Sequence, residues 1–385
     1  MRHSHRLEEV PPYLFAQIDR KIAEKQAHGV DVISFGVGDP DLPTPDGVVE
    51  VLAAESRKPE NQGYPSYYGL AEFRSAASRF MSSRFGVSVD PEKEVLSLMG
   101  SKEGIAHMAL AVLDPGDFAL VPEPGYPVYA MGTILAGARS HFLPLERRNA
   151  FLPDLDSVPA DVICDSKILW LNYPNNPTGA VADVDFFAHA VDFARESDLV
   201  LAHDNAYSEI TYDGFRAPSL LQVPGAMEVG IEFHSLSKTF NMTGWRVGFA
   251  CGNASVIEGL GTIKTNIDSG IFNPIQLAGV RALDSERETS RRMCETYLAR
   301  RDLLVRELSG LGWDVPSPRG SIYIWMPVPP GYDSVGFSTF VLDRAGVFFT
   351  PGGAYGPSGE GYVRISLTVP EERIREALDR LKEVF

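Results

Sequence analysis

The middle of this chain alternates short apolar runs with longer amphipathic segments, and this alternation limits the fold more than any other feature. The apolar runs cover residues 118–121, 168–171, 199–202 and 247–250. They are too short for helices and too uniformly apolar for strands with one wet face, so they predict buried parallel strands. The segments 104–113 and 183–196 have the pattern of helical crossovers. We therefore predict an α/β fold with a large doubly wound domain and a mostly parallel sheet.

The chain has 385 residues, more than one ordinary domain, and its pattern changes toward the C-terminal end. Residues 293–311 predict a long charged helix, and residues 322–326 and 362–367 predict strands. Apolar residues at spacings of three and four behind Pro370 predict a final amphipathic helix. We predict three parts: residues 50–285 form the large ligand-binding domain, residues 286–385 a smaller α+β domain, and residues 1–49 a segment that packs with the smaller domain.

The balance of charged residues excludes two classes of partner. The chain carries 51 acidic and 35 basic residues, a formal net charge of −16, which repels phosphate backbones and anionic membranes. We therefore expect neither nucleic acid nor a membrane as a partner, and no apolar run is long enough to span a bilayer. The three cysteines lie far apart, which argues against disulfides and a metal site and for a reducing compartment. We expect a cytoplasmic protein without a metal.

A lysine segment carries the strongest chemical signal. Ser235, Ser237 and Lys238 end an apolar stretch, and Arg246 follows shortly after the lysine. A lysine amine can form a Schiff base with an aldehyde, and two hydroxyls with an arginine can hold a phosphate. These groups fit both ends of pyridoxal 5'-phosphate (PLP), a phosphorylated pyridine aldehyde. Taken alone, the Ser-x-Ser-Lys pattern is also compatible with an ordinary solvent loop.

A carboxylate follows one of the predicted strands. Asp204 lies just past the run 199–202, where it faces the ligand crevice of a doubly wound sheet. A carboxylate paired with the ring nitrogen of PLP keeps that nitrogen protonated. Tyr207, three residues on, could donate to the ring oxygen. The residues alone favour a different interpretation, in which Asp204 is a helix N-cap.

Three further segments supply candidate ligand contacts. Ser101 and Lys102 precede a predicted helix, where backbone N–H groups bind phosphate. Asn176 lies in a turn that follows the strand 168–171, and Tyr126 follows the strand 118–121. Ordinary turns and a core tyrosine explain these residues equally well when each is taken alone.

Together, in this order, the motifs resemble those of the class I and II aminotransferases of fold type I. The resemblance covers about residues 11–385 and implies that Lys238 binds PLP through a Schiff base and later carries the proton. It implies that Asp204 pairs with the ring nitrogen and that Tyr126 stacks on the ring. The cofactor contacts it implies are Ser101, Lys102, Tyr126, Asn176, Asp204, Tyr207, Ser235, Ser237, Lys238 and Arg246.

The resemblance also implies substrate contacts and a partner subunit. Arg364 would hold the α-carboxylate of the amino acid bidentately, because a strand arginine between apolar neighbours is costly without an anion. A structural salt bridge is the alternative. Asn176 would touch the same carboxylate, and Gly38 belongs to a segment that closes over the substrate. Tyr64 would reach the phosphate of a neighbouring subunit, which implies a homodimer with shared active sites; a surface tyrosine is the alternative.

Longer strings are similar to bacterial LL-diaminopimelate aminotransferases. They cover residues 11–15, 100–107, 205–210, 232–245 and 264–270. This similarity implies amino transfer from LL-2,6-diaminopimelate to 2-oxoglutarate in lysine biosynthesis. Aspartate aminotransferases donate an arginine from the stretch that corresponds to residues 266–273, and this chain has none there.

The recognition of the distal end of the substrate is less clearly marked, and we name Tyr13 and Asn273 as candidates. Alternative activities remain open: transfer from alanine, aspartate or an aromatic donor, or a PLP-dependent C–S lyase on the same fold. A DNA-binding regulator is disfavoured, because the family pattern begins by Pro11 and the chain is acidic.

Overall fold

The computed structural model describes residues 3–4, 6–10, 14–285 and 287–385. Within them the strands are β1 (Ile33–Ser34), β2 (Val95–Leu98), β3 (Phe118–Glu123), β4 (Arg139–Pro144), β5 (Ser166–Leu171), β6 (Val200–Asp204), β7 (Gly230–Ser235), β8 (Gly248–Gly252), β9 (Tyr323–Pro327), β10 (Val347–Phe348), β11 (Thr350–Pro351) and β12 (Tyr362–Ser366). The helices are α1 (Arg6–Glu9), α2 (Leu14–Ala27), α3 (Asp46–Glu55), α4 (Ala71–Phe85), α5 (Ser101–Val112), α6 (Val128–Ala136), α7 (Ala160–Asp165), α8 (Val184–Glu196), α9 (Ala226–Val229), α10 (Leu236–Thr239), α11 (Ala254–Ile267), α12 (Asn273–Ser285), α13 (Arg287–Gly310), α14 (Ser334–Ala345) and α15 (Glu371–Lys382).

A seven-stranded sheet with the order β2-β8-β7-β6-β5-β3-β4 forms the centre of the larger part of the molecule. The five strands from β3 to β7 all run parallel to one another. The strand β8 is antiparallel to both of its neighbours, β7 and β2. The predicted α/β fold with a mostly parallel sheet is therefore confirmed. The prediction that residues 247–250 form a parallel strand is wrong. Parallel neighbours need a long crossover, and the short segment between Ser235 and Gly248 holds only α10 and one turn of 3-10 helix (Thr243–Trp245).

Helices cover both faces of this sheet. On one face, α8 begins where the Asp183 side chain accepts a hydrogen bond from the backbone N–H of Phe186, and it buries Phe187 and Val191. On the other face, α5 buries Ile105 and Met108. Since each helix turns one apolar stripe to the sheet, the sheet has a hydrophobic core on each side, and its strands are buried on both faces over most of their length, whereas the edge strand β4 exposes Arg139 and Phe142.

A second, antiparallel sheet with the order β11-β12-β9 lies in the smaller part of the chain. The helices α13, α14 and α15 pack around it over a separate hydrophobic core. The strand β1 pairs in parallel with β10, so the N-terminal segment contacts this smaller part. The predicted domain boundaries at residues 49 and 285 stay a prediction. Among the described helices, none is both long and apolar enough to cross a membrane.

Candidate active site

A cavity of about 390 Å³ opens at the carboxyl ends of β5, β6 and β7. It brings together twelve of the residues that the sequence singled out: Gly38, Ser101, Lys102, Tyr126, Asn176, Asp204, Tyr207, Ser235, Ser237, Lys238, Arg246 and Arg364. Parallel strands end at one edge of a sheet, so side chains that follow different strands converge there. The residues that line the cavity without having been predicted are Val37, Asn172, Ala206, Thr243, Tyr323 and Tyr355.

Asp204 is a buried carboxylate whose two oxygen atoms differ in their hydrogen bonding. The hydroxyl of Tyr129 donates to its Oδ2 atom over 2.8 Å. Its Oδ1 atom is buried and has no hydrogen-bond partner among the described residues. Burial raises the pKa of Asp204 to about 6, although the Tyr129 hydrogen bond acts in the opposite direction. An unpaired buried carboxylate oxygen is costly, so Oδ1 fits a cationic N–H donor such as a protonated pyridine nitrogen.

The alternative interpretation of Asp204 as a helix N-cap is wrong, because the residues that follow it form turns, not a helix.

Behind the carboxylate, the Asn172 side chain links two segments of the site. Its Nδ2 atom donates to the backbone oxygen of Asp204 over 2.7 Å, and its Oδ1 atom accepts from the backbone N–H of Asn176 over 2.8 Å. Asn172 therefore fixes the turn that carries Asn176 against the end of β6.

Lys238 lies in α10, directly after β7, and its amine points across the cavity. Its Nζ atom donates to the backbone oxygen of Gly38 over 2.7 Å. Burial lowers the pKa of Lys238, which favours the uncharged amine that can attack an aldehyde or accept a proton. A Cβ atom at Gly38 would lie 2.0 Å from the Tyr323 hydroxyl oxygen, so only glycine fits where this segment passes the lysine.

A second group of residues forms a cradle suited to a phosphate. Gly100 has a φ of +79° and leads into α5, whose first residue is Ser101. The Arg246 guanidinium lies so close that a Cβ atom at Gly100 would be 2.4 Å from its Nη2 atom. The Oγ atom of Ser237 is buried without a hydrogen-bond partner among the described residues. A helix N-terminus, hydroxyl donors and a guanidinium are the groups that bind phosphate.

Arg364 occupies the central strand of the smaller sheet and is only 3% exposed. Its Nη1 atom donates to the Asn176 side-chain oxygen over 2.9 Å, and its Nη2 atom donates to the Gly36 backbone oxygen over 2.7 Å. Its guanidinium carbon lies 3.9 Å from the ring centre of Tyr323 and 4.7 Å from that of Tyr355. The contacts hold a planar fork of donors at the cavity, the geometry that binds a carboxylate.

Two tyrosines that sequence reasoning missed shape this region. The Tyr323 hydroxyl lies 3.2 Å from that of Tyr207, and burial raises the pKa of Tyr207 well above its ordinary value. Pairing of the two predicted strands would have revealed Tyr323, because it lies two residues from Trp325, the partner of Arg364, and so shares the face of the arginine. Tyr355 ends one turn of 3-10 helix (Gly352–Tyr355), which is too short to show a periodicity, and no local pattern marks it.

Three predicted residues do not line the cavity. Tyr64 is 89% exposed, and its predicted role concerns a neighbouring subunit, which a single chain does not test. Asn273 begins α12 and is not among the residues that line this cavity. Tyr13 lies outside the described residues.

The sequence is similar to known proteins along nearly its whole length. The family model of class I and II aminotransferases matches residues 30–381. An LL-diaminopimelate aminotransferase of Moorella thermoacetica is 55% identical to this chain, covering 100% of it and 99% of the relative. The LL-diaminopimelate aminotransferase of Desulforudis audaxviator is also 55% identical, covering 98% of this chain and 96% of the relative.

Solved structures agree with this similarity. Substrate-bound BacF from Bacillus subtilis has a TM-score of 0.95 at 36% identity and covers 100% of this chain and 98% of that one. A single mutant of the Thermus thermophilus aspartate aminotransferase has a TM-score of 0.93 at 31% identity, with 100% of both chains covered. The likeness therefore includes both parts of the molecule and the cavity between their sheets.

Proposed function

This chain belongs to the class I and II aminotransferase family, and we propose that it moves the amino group of LL-2,6-diaminopimelate to 2-oxoglutarate in lysine biosynthesis. The family match confirms two predictions made from the motifs, membership of the family and the use of PLP. The support for the narrower proposal is the 55% identity, over the full chain, to a relative named for this reaction. The stretch 266–273 also lacks the arginine of aspartate aminotransferases. We further propose that the enzyme works in the cytoplasm, as its sparse cysteines suggest.

The cavity residues have a consistent set of roles in this reaction. Bound PLP supplies an electron sink for the negative charge that develops at Cα of the amino acid. We propose that Asp204 holds a proton on the ring nitrogen through Oδ1, while Tyr207, positioned by Tyr323, donates to the ring oxygen. Lys238 would hold the cofactor at its aldehyde carbon, and its amine is the group that would carry the proton at Cα. Its lowered pKa suits this task, because only the uncharged amine accepts a proton.

Arg364 and Asn176 would orient the amino acid. By holding the α-carboxylate, the guanidinium and the amide would fix the orientation of the Cα–H bond relative to the bound cofactor. The phosphate at the other end of PLP would be held by the cradle of Gly100, Ser101, Ser237 and Arg246. The phosphate cradle would fix the cofactor, and Arg364 and Asn176 would fix the carboxylate of the amino acid. Together these contacts would hold the reacting atoms in one orientation.

Replacing Arg364 with glutamine tests the carboxylate site. We expect kcat/KM for the amino donor to fall about 100-fold, since charge-assisted hydrogen bonds are worth about 1.5–3 kcal/mol. PLP affinity should stay unchanged, because the phosphate cradle is intact. Steady-state kinetics and PLP titration measure the two quantities, with Arg148→Gln, an exposed position, as the control. Loss of PLP affinity with an unchanged KM would place Arg364 in the cofactor site instead.

We also propose that the enzyme is a homodimer in which Tyr64 of each subunit binds the phosphate of the other. The supporting observation is that Tyr64 is 89% exposed and lies outside the cavity of its own chain. At limiting PLP, Tyr64→Ala should weaken PLP binding at least about tenfold, the effect of one hydrogen bond to a charged group. Tyr67→Ala, a neighbouring exposed tyrosine, is the control.

Hybrid dimers test the sharing of sites directly. When Tyr64→Ala and Lys238→Ala chains are mixed at limiting PLP, one site of each hybrid collects both defects and the other has neither. We therefore expect activity to return on mixing. If Tyr64 served its own subunit, every hybrid site would keep one defect and mixing would restore nothing. Sedimentation of the wild-type chain gives the oligomeric state independently.

The proposed substrate is tested by comparing amino donors on the PLP-loaded enzyme. LL-2,6-diaminopimelate, alanine, aspartate and phenylalanine are each supplied with 2-oxoglutarate, and glutamate is measured together with the cyclised product tetrahydrodipicolinate. We expect a kcat/KM for LL-2,6-diaminopimelate at least about tenfold above the others, roughly 1.4 kcal/mol of discrimination. Turnover restricted to the other donors would overturn the substrate but not the aminotransferase. Turnover that needs no oxo acid would indicate a lyase.

A further inference from the structure

A hydrogen-bonded contact joins the two sheets of the molecule beside the candidate active site. Glu123 is the last residue of β3 in the seven-stranded sheet, and its side chain is buried. Its Oε2 atom accepts from the hydroxyl of Ser358 over 2.5 Å and from the backbone N–H of Ser358 over 3.2 Å. Ser358 lies in the segment 352–361, which joins β11 to β12 of the smaller sheet. One carboxylate at the end of β3 therefore holds a segment that belongs to the other sheet.

The backbone around this contact fits equally closely. The N–H of Gly125 donates to the backbone oxygen of Tyr355 over 2.9 Å. Gly356 has a φ of +114°, and a Cβ atom there would lie 2.5 Å from the Oε1 atom of Glu123. The segment can pass this close to Glu123 because residue 356 has no side chain. We call the hydrogen bonds of Glu123 with Ser358 and of Gly125 with Tyr355 the Glu123 clamp.

On the side of the seven-stranded sheet, the Glu123 clamp adjoins residues with proposed cofactor roles. Tyr126 directly follows Gly125 and lines the cavity. Its ring packs edge-on against the ring of Tyr129, with 5.9 Å between the ring centres. The Tyr129 hydroxyl in turn donates to Asp204. The end of β3 is thus linked to the ring that would stack on PLP and to the carboxylate that would pair with its ring nitrogen.

On the side of the smaller sheet, the Glu123 clamp adjoins the proposed carboxylate site. The ring of Tyr355 lines the cavity, and its centre lies 4.7 Å from the guanidinium carbon of Arg364. Trp325 packs edge-on against the same ring, with 5.9 Å between the ring centres, and it is the strand partner of Arg364. The position of Tyr355 is therefore tied to that of the arginine.

We propose that Glu123 is a positioning residue, which sets the placement of the amino acid held at Arg364 relative to the cofactor stacked on Tyr126. The inference rests on the proposed roles of these two residues. Cofactor and amino acid would be held by different sheets, and a displacement of about 1 Å between reacting groups can cost about 100-fold in rate. A contact that joins the sheets beside the site therefore controls their alignment. Glu123 does not line the cavity and acts through Tyr126 and Tyr355.

Glu123→Ala and Glu123→Gln test this role as a pair, because the amide oxygen of glutamine still accepts the hydrogen bonds of Ser358. We expect Glu123→Ala to slow the half-reaction with the preferred amino donor at least about tenfold at saturation. The donor concentration that gives half the maximal rate should change less than about threefold, because Arg364 keeps its hydrogen bonds to Asn176 and Gly36. Glu123→Gln should stay within about threefold of the wild type in both quantities. Single-turnover absorbance measures them.

PLP titration separates this effect from a loss of the cofactor. The PLP dissociation constant of Glu123→Ala should stay within about twofold of the wild type, because the phosphate cradle and Lys238 are untouched. The matched control is Asp314→Ala. The exposed carboxylate of Asp314 pairs with Arg147 and also connects the two parts of the molecule, but outside the cavity. The control should keep the wild-type rate within about twofold. A rate in Glu123→Ala that falls only in step with PLP affinity would overturn the proposal.

Hydrogen exchange of the apoprotein tests the Glu123 clamp without cofactor or turnover. In Glu123→Ala, the amide hydrogens of the segment 352–361 should exchange at least about tenfold faster than in the wild type, because the segment opens more readily. Glu123→Gln and Asp314→Ala should exchange there as the wild type does. Unchanged exchange in Glu123→Ala would overturn the proposal.

Ser358→Ala keeps the proposal testable if Glu123→Ala folds poorly, since Ser358 is exposed. The backbone N–H donor remains in this variant, so we expect a smaller slowing of the half-reaction, about threefold to tenfold. In the Glu123→Ala background the same change should alter the rate less than about twofold, because both substitutions break one contact.

Three results would overturn the proposal: wild-type rates in Glu123→Ala and Ser358→Ala, equal slowing in Glu123→Ala and Glu123→Gln, or additive effects of the two alanine substitutions. Absence of PLP binding by the wild-type chain would instead overturn the function on which the proposal rests.

Discussion

Replacing Lys238 with alanine is expected to lower turnover at least about 10⁴-fold, the upper range of a lost general acid–base group. The variant would also lose the proposed covalent link to PLP, but the phosphate cradle remains and PLP should still bind. The measurement is the single-turnover rate with the preferred amino donor, followed by the loss of the PLP absorbance band. Lys167→Ala is a suitable control, because this lysine is exposed on β5 and far from the cavity.

Small primary amines sharpen the Lys238 experiment. Truncation of the side chain leaves room where the amine stood, and a diffusible amine can then accept the proton from Cα. We expect methylamine or ethylamine to restore part of the rate, rising with pH as more of the amine is uncharged. A rate that stays at about the wild-type level in Lys238→Ala without added amine would show that another group carries the proton.

Asp204→Asn is expected to lower kcat about 10³-fold while making the apoprotein more stable. The amide has the shape of the carboxylate and still accepts from Tyr129, but it cannot hold a proton on the ring nitrogen. Burial raises the pKa of Asp204 from 3.8 to about 6, so at pH 7 the folded chain bears the cost of an ionised buried group. Removing that cost should stabilise the fold by on the order of 2–3 kcal/mol.

The sign of this stability effect gives a clear pH dependence. The pKa of Asp204 is higher in the folded state than in the unfolded state. As the pH falls through about 6, the buried carboxylate of the wild-type apoprotein becomes protonated, and the free-energy cost of burying its charge disappears. The Tm advantage of Asp204→Asn should therefore be full at pH 7 and shrink toward pH 4. Thermal unfolding of both apoproteins across this range measures it, with Asp156→Asn, an exposed carboxylate, as the control. A lower Tm for Asp204→Asn at pH 7 would contradict the burial cost.

The predictable part of this molecule follows from local pattern and one rule of topology. Runs such as 168–171 and 199–202 mark buried strands, and polar residues just beyond them, Asn176 and Asp204, meet because parallel strands end at one edge. Lys238 and Arg246 lie in one short segment of the sequence, so their joint role in one site could also be predicted. The family resemblance decided between roles that the residues alone left open, above all for Asp204.

The contacts that escaped prediction are all tertiary. Tyr129 comes from α6 and reaches Asp204 across the sheet edge, and nothing near either residue in the sequence marks the pair. Glu232 and His203, whose buried side chains are hydrogen-bonded, lie in two strands whose pairing is not encoded by any local pattern. The direction of β8 escaped for a related reason, because a buried strand has the same apolar composition whichever way it runs.

That reversed strand sets an order in which the site can be assembled during synthesis. The antiparallel contact of β7 with β8 closes a short loop and costs little chain entropy. Lys238 and Arg246 lie on that loop, so the two ends of the cofactor site come together through contacts between near neighbours in sequence. Arg364 belongs to β12, the last strand of the chain. A chain emerging from the ribosome therefore contains every strand of the seven-stranded sheet before Arg364, the residue proposed to bind the amino acid, has been made.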